Sequence, residues 1–316
     1  MTTVSASAPD GLPEVRAGDD LAALVAGALT DLSDGDVVVV TSKVVSKAEG
    51  RVVPGTRDEA LAGETARVVA RRGPTTIVRT HHGLVLAAAG IDASNVERGS
   101  VVLLPLDPDA SARALRADLL GLTGRNVGVV VTDTAGRAWR EGQTDLAIGA
   151  AGLVVAESFA GRVDAHGNEL AVTAPAVVDE MAGLAELAQG KLGGRPVALV
   201  RGRADLVLPA GQDGPGAVSL VRAEGADMFG FGAREAVLRA VLADPADRVV
   251  FGAPAAPEEL AGALHALGAR TTTYDEGLEV TGEASRDLIA VLAFAHGWLL
   301  EESAGPRRLR LRPATP

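Results

Sequence analysis

The stretch DVVVVTSKVVSKAEGR, Asp36 to Arg51, decides how the chain is read. Four consecutive valines are the pattern of a strand buried on both faces. They run directly into a polar segment, TSKVVSKAEGR, expected to be a loop at the sheet edge, where phosphate groups are commonly held. That segment holds two of the chain's three lysines, Lys43 and Lys47, against 27 arginines. A bias that replaced lysine by arginine nearly everywhere spared these two positions. They are candidate phosphate ligands; the competing reading is a solvated surface face.

Working outward, strand-length apolar runs alternate with helix-length periodic segments. DVVVVTS (36–42), TTIVRT (75–80), GLVLAAAG (83–90), VVLLPL (101–106), VGVVVTD (127–133) and PVALVRG (196–202) read as strands. DDLAALVAGALTDL, DEALAGETARVVARR, SARALRADLLGL and PAVVDEMAGLAELAQG have helical spacing, with Asp19 or Asp20 as a cap for the first. The fold class is mixed α+β. A break at ADPADR, 243–248, separates a larger region, 1–245, from a small α/β extension, 246–316, read as strand, helix, strand, helix and a basic ending, RRLRLRP. No internal repeat is visible.

Composition narrows the function. The 316 residues are 47% hydrophobic and 3% aromatic, so the core is built from small aliphatic side chains. A net charge of -11 argues against nucleic acid and anionic membranes, whose affinity rests on clustered cations. No cysteine is present, which excludes thiolate chemistry and disulfides. No basic leader or long apolar run is seen, and a cytoplasmic location is expected.

VVVTDTAGR, Val129 to Arg137, ends a buried strand in Asp133 and Thr134, hard oxygens suited to Mg²⁺ or Mn²⁺ beside nucleotide phosphates. It resembles the DxxG element of GTPases, but the chain has neither a GxxxxGK[ST] loop nor an NKxD motif. Asp92, in AAAGIDASN, could reach a metal or cap a turn, and the turn is favoured for a lone aspartate. His81 and His82 read more simply as structural than as ligands, since neighbours in a strand face opposite ways. Asparagine and glutamine occur three times each, and Asn95, Gln143 and Gln212 fall in these motifs. AGQDGPG reads first as a turn and second as a glycine-rich phosphate loop.

Taken together, GLPEV, VVVVTSKVVSKAEGRVV, HGLVLAAAGIDASNV, VVVTDTAGRAWREGQTDLAIGAAG, VALVRG and GQDGPGA with DMFGFG resemble the coenzyme F-420-0:L-glutamate (gamma-glutamyl) ligase family over roughly residues 10–235. The resemblance implies a GTP-dependent ligation with a divalent metal, in a fold peculiar to that family and built as an intertwined homodimer. It implies coenzyme F-420-0 and L-glutamate as substrates. Position by position, it implies GTP contacts at Leu12, Pro13, Glu14, Val15, Ser42, Lys43, Lys47 and Asn95. It implies metal ligands at Asp92, Asp133 and Thr134. A further nucleotide segment is implied at Gly211, Gln212, Asp213, Gly214, Pro215, Gly216, Ala217 and Val218, with Gln212 the metal ligand and Asp213 its neighbouring alternative. Arg137, Arg140 and Gln143, just past the metal strand, are assigned to the acidic acceptor or glutamate. Some relatives continue into a flavin-binding domain of roughly 200 residues; the shorter tail here leads us to expect no flavin, and it is read as a dimer-stabilising cap or a substrate selector. The alternatives are a related ligase for another small carboxylate and a nucleotide-binding regulator without catalysis.

Overall fold

The computed structural model describes residues 3–275, 277–305 and 308–314. The chain divides into two compact units, Met1–Val68 with Thr75–Val221, and Val69–Pro74 with Arg222–Pro316. The first unit carries β1 (Ser5–Ser7), α1 (Leu21–Ala28), β2 (Val37–Thr41), α2 (Ser42–Ala48), β3 (Val52–Pro54) and α3 (Arg57–Leu61). It continues through β4 (Thr65–Arg72), whose end belongs to the second unit, then β5 (Thr75–Thr80), β6 (Val85–Ala87), β7 (Ser100–Val102) and α4 (Pro108–Thr123). β8 (Gly128–Arg137), β9 (Arg140–Ala151), β10 (Arg162–Val163), β11 (Glu169–Leu170), α5 (Val177–Gln189) and β12 (Val197–Arg201) complete it.

Its centre is a mixed five-stranded sheet in the order β1-β12-β2-β8-β9, in which β2 and β8 run parallel and the other pairs antiparallel. The valine run explains this placement. Side chains alternate along a strand, and both faces of β2 are covered. Val38, Val40, Val129 and Val131 enter one core with α1 and α4, whereas Val37, Val39 and Val130 enter another with α5. Each fully buried valine adds roughly 1.5–3 kcal/mol relative to exposure. Helices cap as their ends predict: Asp20 accepts from the Ala23 N–H, and Asp107 from the Ala110 N–H.

Several expectations are corrected. DEALAGETARVVARR is a short helix, α3, capped by Thr56 and Glu59, followed by strand β4, because Gly63 interrupts the helix and the β-branched residues after it pair in a sheet. Only Val101 and Val102 of VVLLPL are strand, as the end of β7, and residues 83–90 divide into β6 and a 3-10 turn at Ala88–Gly90.

In the second unit, α6 (Ala233–Leu242), α7 (Arg248–Phe251), α8 (Pro257–Ala266), β13 (Ala269–Tyr274), β14 (Gly277–Gly282), α9 (Arg286–Ala295), β15 (Trp298–Gly305) and β16 (Arg308–Pro313) follow in order. VVFG is helical, in α7, rather than a strand, and SRDLIAVLAFAHGWLL yields a helix only to Ala295 before β15 starts. The basic ending is strand β16, whose Leu309 and Leu311 face the core while Arg308, Arg310 and Arg312 face outward. All pairings in the sheet β13-β14-β16-β15 are antiparallel. The order helix, strand, strand therefore occurs twice, with Leu260, Leu264 and Gly268 of the first copy in the places of Ile289, Ala293 and Gly297 of the second. So few shared residues leave such a repeat unreadable in sequence. No helix among the described residues is long and apolar enough to cross a membrane.

One buried arginine fixes the loops around the first unit's sheet. Arg116, 5% exposed, donates to the carbonyls of Val127, Leu208, Pro209 and Gln212 and to the side chains of Asn126 and Asp213. Gly152 (φ 70°) passes so close that a Cβ there would lie 2.1 Å from the Arg116 Nε. Arg116→Ala is expected to destabilise the protein by roughly 2–4 kcal/mol, because it removes six hydrogen bonds and leaves the Val127 and Gln212 carbonyls without this donor; urea denaturation measures it, and a change under 1 kcal/mol contradicts the role.

Candidate active site

Parallel pairing sets the carboxyl end of β2 beside the middle of β8, with Thr41 opposite Thr132, while β8 itself continues to Arg137. Ligands in such sheets gather outside the carboxyl ends of strands. The polar segment expected as a loop is instead helix α2, which starts at Ser42 directly after β2. Its Val44 and Val45 are buried, and that packing favours helix over loop. The helix sets Lys43 and Lys47 one turn apart on a common face. Lys43 Nζ lies 2.6 Å from Asp92 Oδ2 and donates to Ser94 Oγ at 2.8 Å. Lys47, 7% exposed, is ion-paired with Glu14 of the GLPEV stretch. Ser42 Oγ donates to Asp133 Oδ1 at 3.2 Å.

Alternation along β8 then divides its end. Asp133 lies on the face of Val129 and Val131, towards α2. Thr132 and Thr134 lie on the opposite face, where both hydroxyls donate to Asp145, at 2.9 and 2.7 Å. Glu186 of α5 accepts from the Asp145 N–H at 3.1 Å, and Lys191 Nζ reaches to 3.5 Å from Thr134 Oγ1. Asp145 was not singled out in the sequence. Its position opposite Thr134 follows from the β8–β9 hairpin register, which no local motif announces.

Electrostatics distinguish the carboxylates. Burial raises Asp133 to about 7, assisted by the charges of Asp145 and Asp92 and opposed by the Ser42 hydroxyl and Thr134 N–H. Burial also pushes Asp92 upward, but Lys43 and the Ser94 donors outweigh it and its pKa is lowered. Asp92 Oδ1 accepts from the Ser94 N–H at 2.7 Å, so the turn role expected for a lone aspartate is realised beside the Lys43 contact. A divalent cation fits this donor chemistry. Asp92 and Asp133 offer hard oxygens on the α2 face, with the Thr134 hydroxyl on the other, and a positive charge would offset the burial and the neighbouring carboxylate charges that raise Asp133. Among the described residues no three acidic or histidine side chains already form a metal cluster.

Other expected residues make contacts of their own. In the 211–218 loop, Asp213 pairs with Arg116 at 2.8 Å, and Asp109 accepts from the N–H groups of Ala217 and Val218 at 2.7 and 3.1 Å. Those two backbone donors thus hold the loop to α4. Asn95 is exposed and adopts φ 56°, a left-handed conformation that asparagine tolerates. Arg137 and Arg140 close the β8–β9 hairpin and Gln143 pairs with Gly136, all exposed. Four residues of strand carry Arg137 roughly 13 Å beyond Asp133. His81 and His82 contact the carbonyls of Gly63 and of Pro105 and Leu106, the structural role expected.

Asp133 makes the cation-free protein pH-dependent. Its native pKa, about 7, lies above the ordinary 3.8. The native state therefore retains a proton that the unfolded chain releases, and stability from this group falls as pH rises between about 4 and 7. Asp133→Asn is expected to remove that slope and, in chelator at pH 8, to be more stable than wild type by on the order of 1–3 kcal/mol. Urea denaturation at pH 5 and pH 8 reads both; parallel pH dependence in the two proteins would contradict the burial argument.

Comparison with known proteins agrees with the sequence resemblance. The family described as F420-0:Gamma-glutamyl ligase matches residues 11–67 and 55–202, which include β2, α2, β8, β9 and α5. A coenzyme F420:L-glutamate ligase of Archaeoglobus fulgidus is 43% identical over 213 residues, covering 61% of this chain and 85% of that protein. One from Halobacterium salinarum is 45% identical over 222 residues, 62% and 86% of the respective chains. One from Methanothermobacter thermautotrophicus is 38% identical over 218 residues, 61% and 86%. The chain belongs to the F420-0:gamma-glutamyl ligase family.

Proposed function

We propose that this chain, as a homodimer, joins L-glutamate to the deazaflavin precursor coenzyme F-420-0 and adds further γ-linked glutamates, with GTP as co-substrate and Mg²⁺ or Mn²⁺ bound. The observation that carries the reading is the grouping of Ser42, Lys43, Lys47, Asp92 and Asp133 where β2 ends beside β8, in a chain of this family.

The chemistry requires an activated carboxylate. A precursor carboxylate oxygen attacks the γ-phosphorus of GTP; the bond to the bridging oxygen breaks and GDP leaves, giving an acyl phosphate. The glutamate amine then attacks the acyl carbon, inorganic phosphate departs, and the amine loses a proton. No protein nucleophile is needed. Lys43 and Lys47 exchange their carboxylate partners for phosphate oxygens and neutralise charge on the transferred group. Asp92 and Asp133 would hold the divalent ion, which supplies charge stabilisation at the phosphates when bound. Ser42 orients Asp133. The carboxylates of Asp92 and Glu14 preorganise the lysines and keep their positive charge paired until nucleotide arrives. In this reading catalysis resides in the region up to about residue 245, and the extension from 246 stabilises the dimer or tunes substrate choice.

Mass spectrometry of coenzyme F-420-0 incubated with the protein, L-glutamate, GTP and Mg²⁺ or Mn²⁺, with ATP as control, tests the reaction. Glutamyl additions with GTP are expected; no addition while GTP still binds would favour another carboxylate substrate or a regulator. Asp133→Asn is expected to abolish turnover with the fold intact. Lys47→Ala is expected to weaken GTP binding at least about tenfold, the loss of one charge-assisted phosphate contact; equal affinity by titration would remove Lys47 from the phosphate site.

A further inference from the structure

All three lysines of this arginine-rich chain lie on segments packed against β8, although 144 positions separate the second from the third. Lys43 and Lys47 stand on α2, each against a carboxylate. Lys191 stands across β8 from them. Its described contact is the Thr134 hydroxyl at 3.5 Å, on the α5 face. The Thr134 hydroxyl donates to Asp145, so its oxygen offers the ammonium only a lone pair. A neutral acceptor at that distance marks where the ammonium stands without satisfying its three donors.

The segment carrying Lys191 adds a second, independent observation. Gln189, one of three glutamines, is 4% exposed, and neither its Nε2 nor its Oε1 has a hydrogen-bond partner among the described residues. Buried amides are ordinarily paired, so this one calls for a polar group that the chain does not supply. Between and beyond these residues the sequence GKLGG places Gly190 at φ 62° and Gly194 at φ 65°. The lysine thus rides on a short glycine-rich turn rather than on the body of α5.

Deepening the ligase reading, on which it rests, we infer that Lys191 is the cation that receives a substrate carboxylate. β8 separates two half-sites. The α2 side, with two lysines, suits a polyphosphate. The α5 side holds Lys191 and the Thr134 hydroxyl beside the carboxylates of Asp145 and Glu186, so the Lys191 ammonium is the group there that can receive a carboxylate. Both remaining substrates of a glutamate ligase carry carboxylates, and both must meet the transferred phosphoryl group at the strand end between the half-sites. Lys191 is a substrate-binding residue in this assignment, and Gln189 positions its turn or shares the ligand.

Steady-state kinetics of Lys191→Ala and Lys191→Arg in the full chain, with each substrate varied in turn, test the inference. Lys191→Ala is expected to raise the KM for one carboxylate substrate at least about tenfold while the KM for GTP stays within about twofold, and Lys191→Arg to restore part of the loss, as for a lost charge-assisted contact. A raised KM for L-glutamate assigns the incoming amino acid; a raised KM for the deazaflavin precursor assigns the acceptor. Three unchanged KM values, or a rise confined to GTP, overturn the inference. Absence of product from wild type run alongside instead refutes the ligase reading. Calorimetric titration of L-glutamate and of the precursor into GTP-loaded wild type and Lys191→Ala then decides on Lys191 without turnover: weaker binding by the variant supports it, and equal heats, including none in either, overturn it.

Discussion

Parallel pairing of β2 with β8 is the constraint on which the rest of the first unit depends. Their register brings Thr41 beside Thr132, so everything immediately downstream in each strand is delivered to one place: α2 from one, Asp133 and Thr134 from the other. Such pairing needs both faces of the strands covered, because parallel strands with a bare face are rarely stable. The two valine-rich cores on either side of the sheet meet that requirement. Stability and site geometry therefore share a cause, and a slip of one residue would exchange the faces of Asp133 and Thr134.

Around that strand end the charges are arranged in opposed pairs. Lys43 faces Asp92, Lys47 faces Glu14, and the half-buried Asp133 has a hydroxyl from Ser42 but, among the described residues, no ion-paired cation. Burial makes its charged form unfavourable. An incoming polyphosphate with a divalent ion would satisfy both halves of this arrangement, giving the lysines new acceptors and the carboxylates a cation. The glycine-rich loop at 211–218 has a different basis. Asp109 and Arg116 hold it by its backbone and by Asp213, so its shape is fixed by α4 whatever ligand it meets.

Much of the candidate site was legible because it is written in rare residue types. Lysine scarcity marked Lys43 and Lys47, and a carboxylate following a valine run marked Asp133. Asn95 shows the limit of that argument, since its left-handed backbone alone accounts for an asparagine there. Asp145 and the contact of Lys191 were not legible, because each depends on a partner distant in the chain: one through hairpin register, the other through the packing of α5 on the sheet.

By itself, the sequence determined the mixed α+β class, the buried central strands, the family resemblance and the identities of the groups able to carry phosphate and metal chemistry. These follow from local periodicity and side-chain chemistry, which need no knowledge of neighbours. Tertiary structure decided that TSKVVSKAEGR is a helix, that the segment after Gly63 is a strand, that the arginine-rich end is the inner strand of a repeated helix-strand-strand unit, and that Asp133 and Thr134 face opposite sides of β8. Each turns on burial and pairing between segments far apart in sequence. Valines at 44 and 45 commit α2 to a helix only because the core of the first unit is there to receive them.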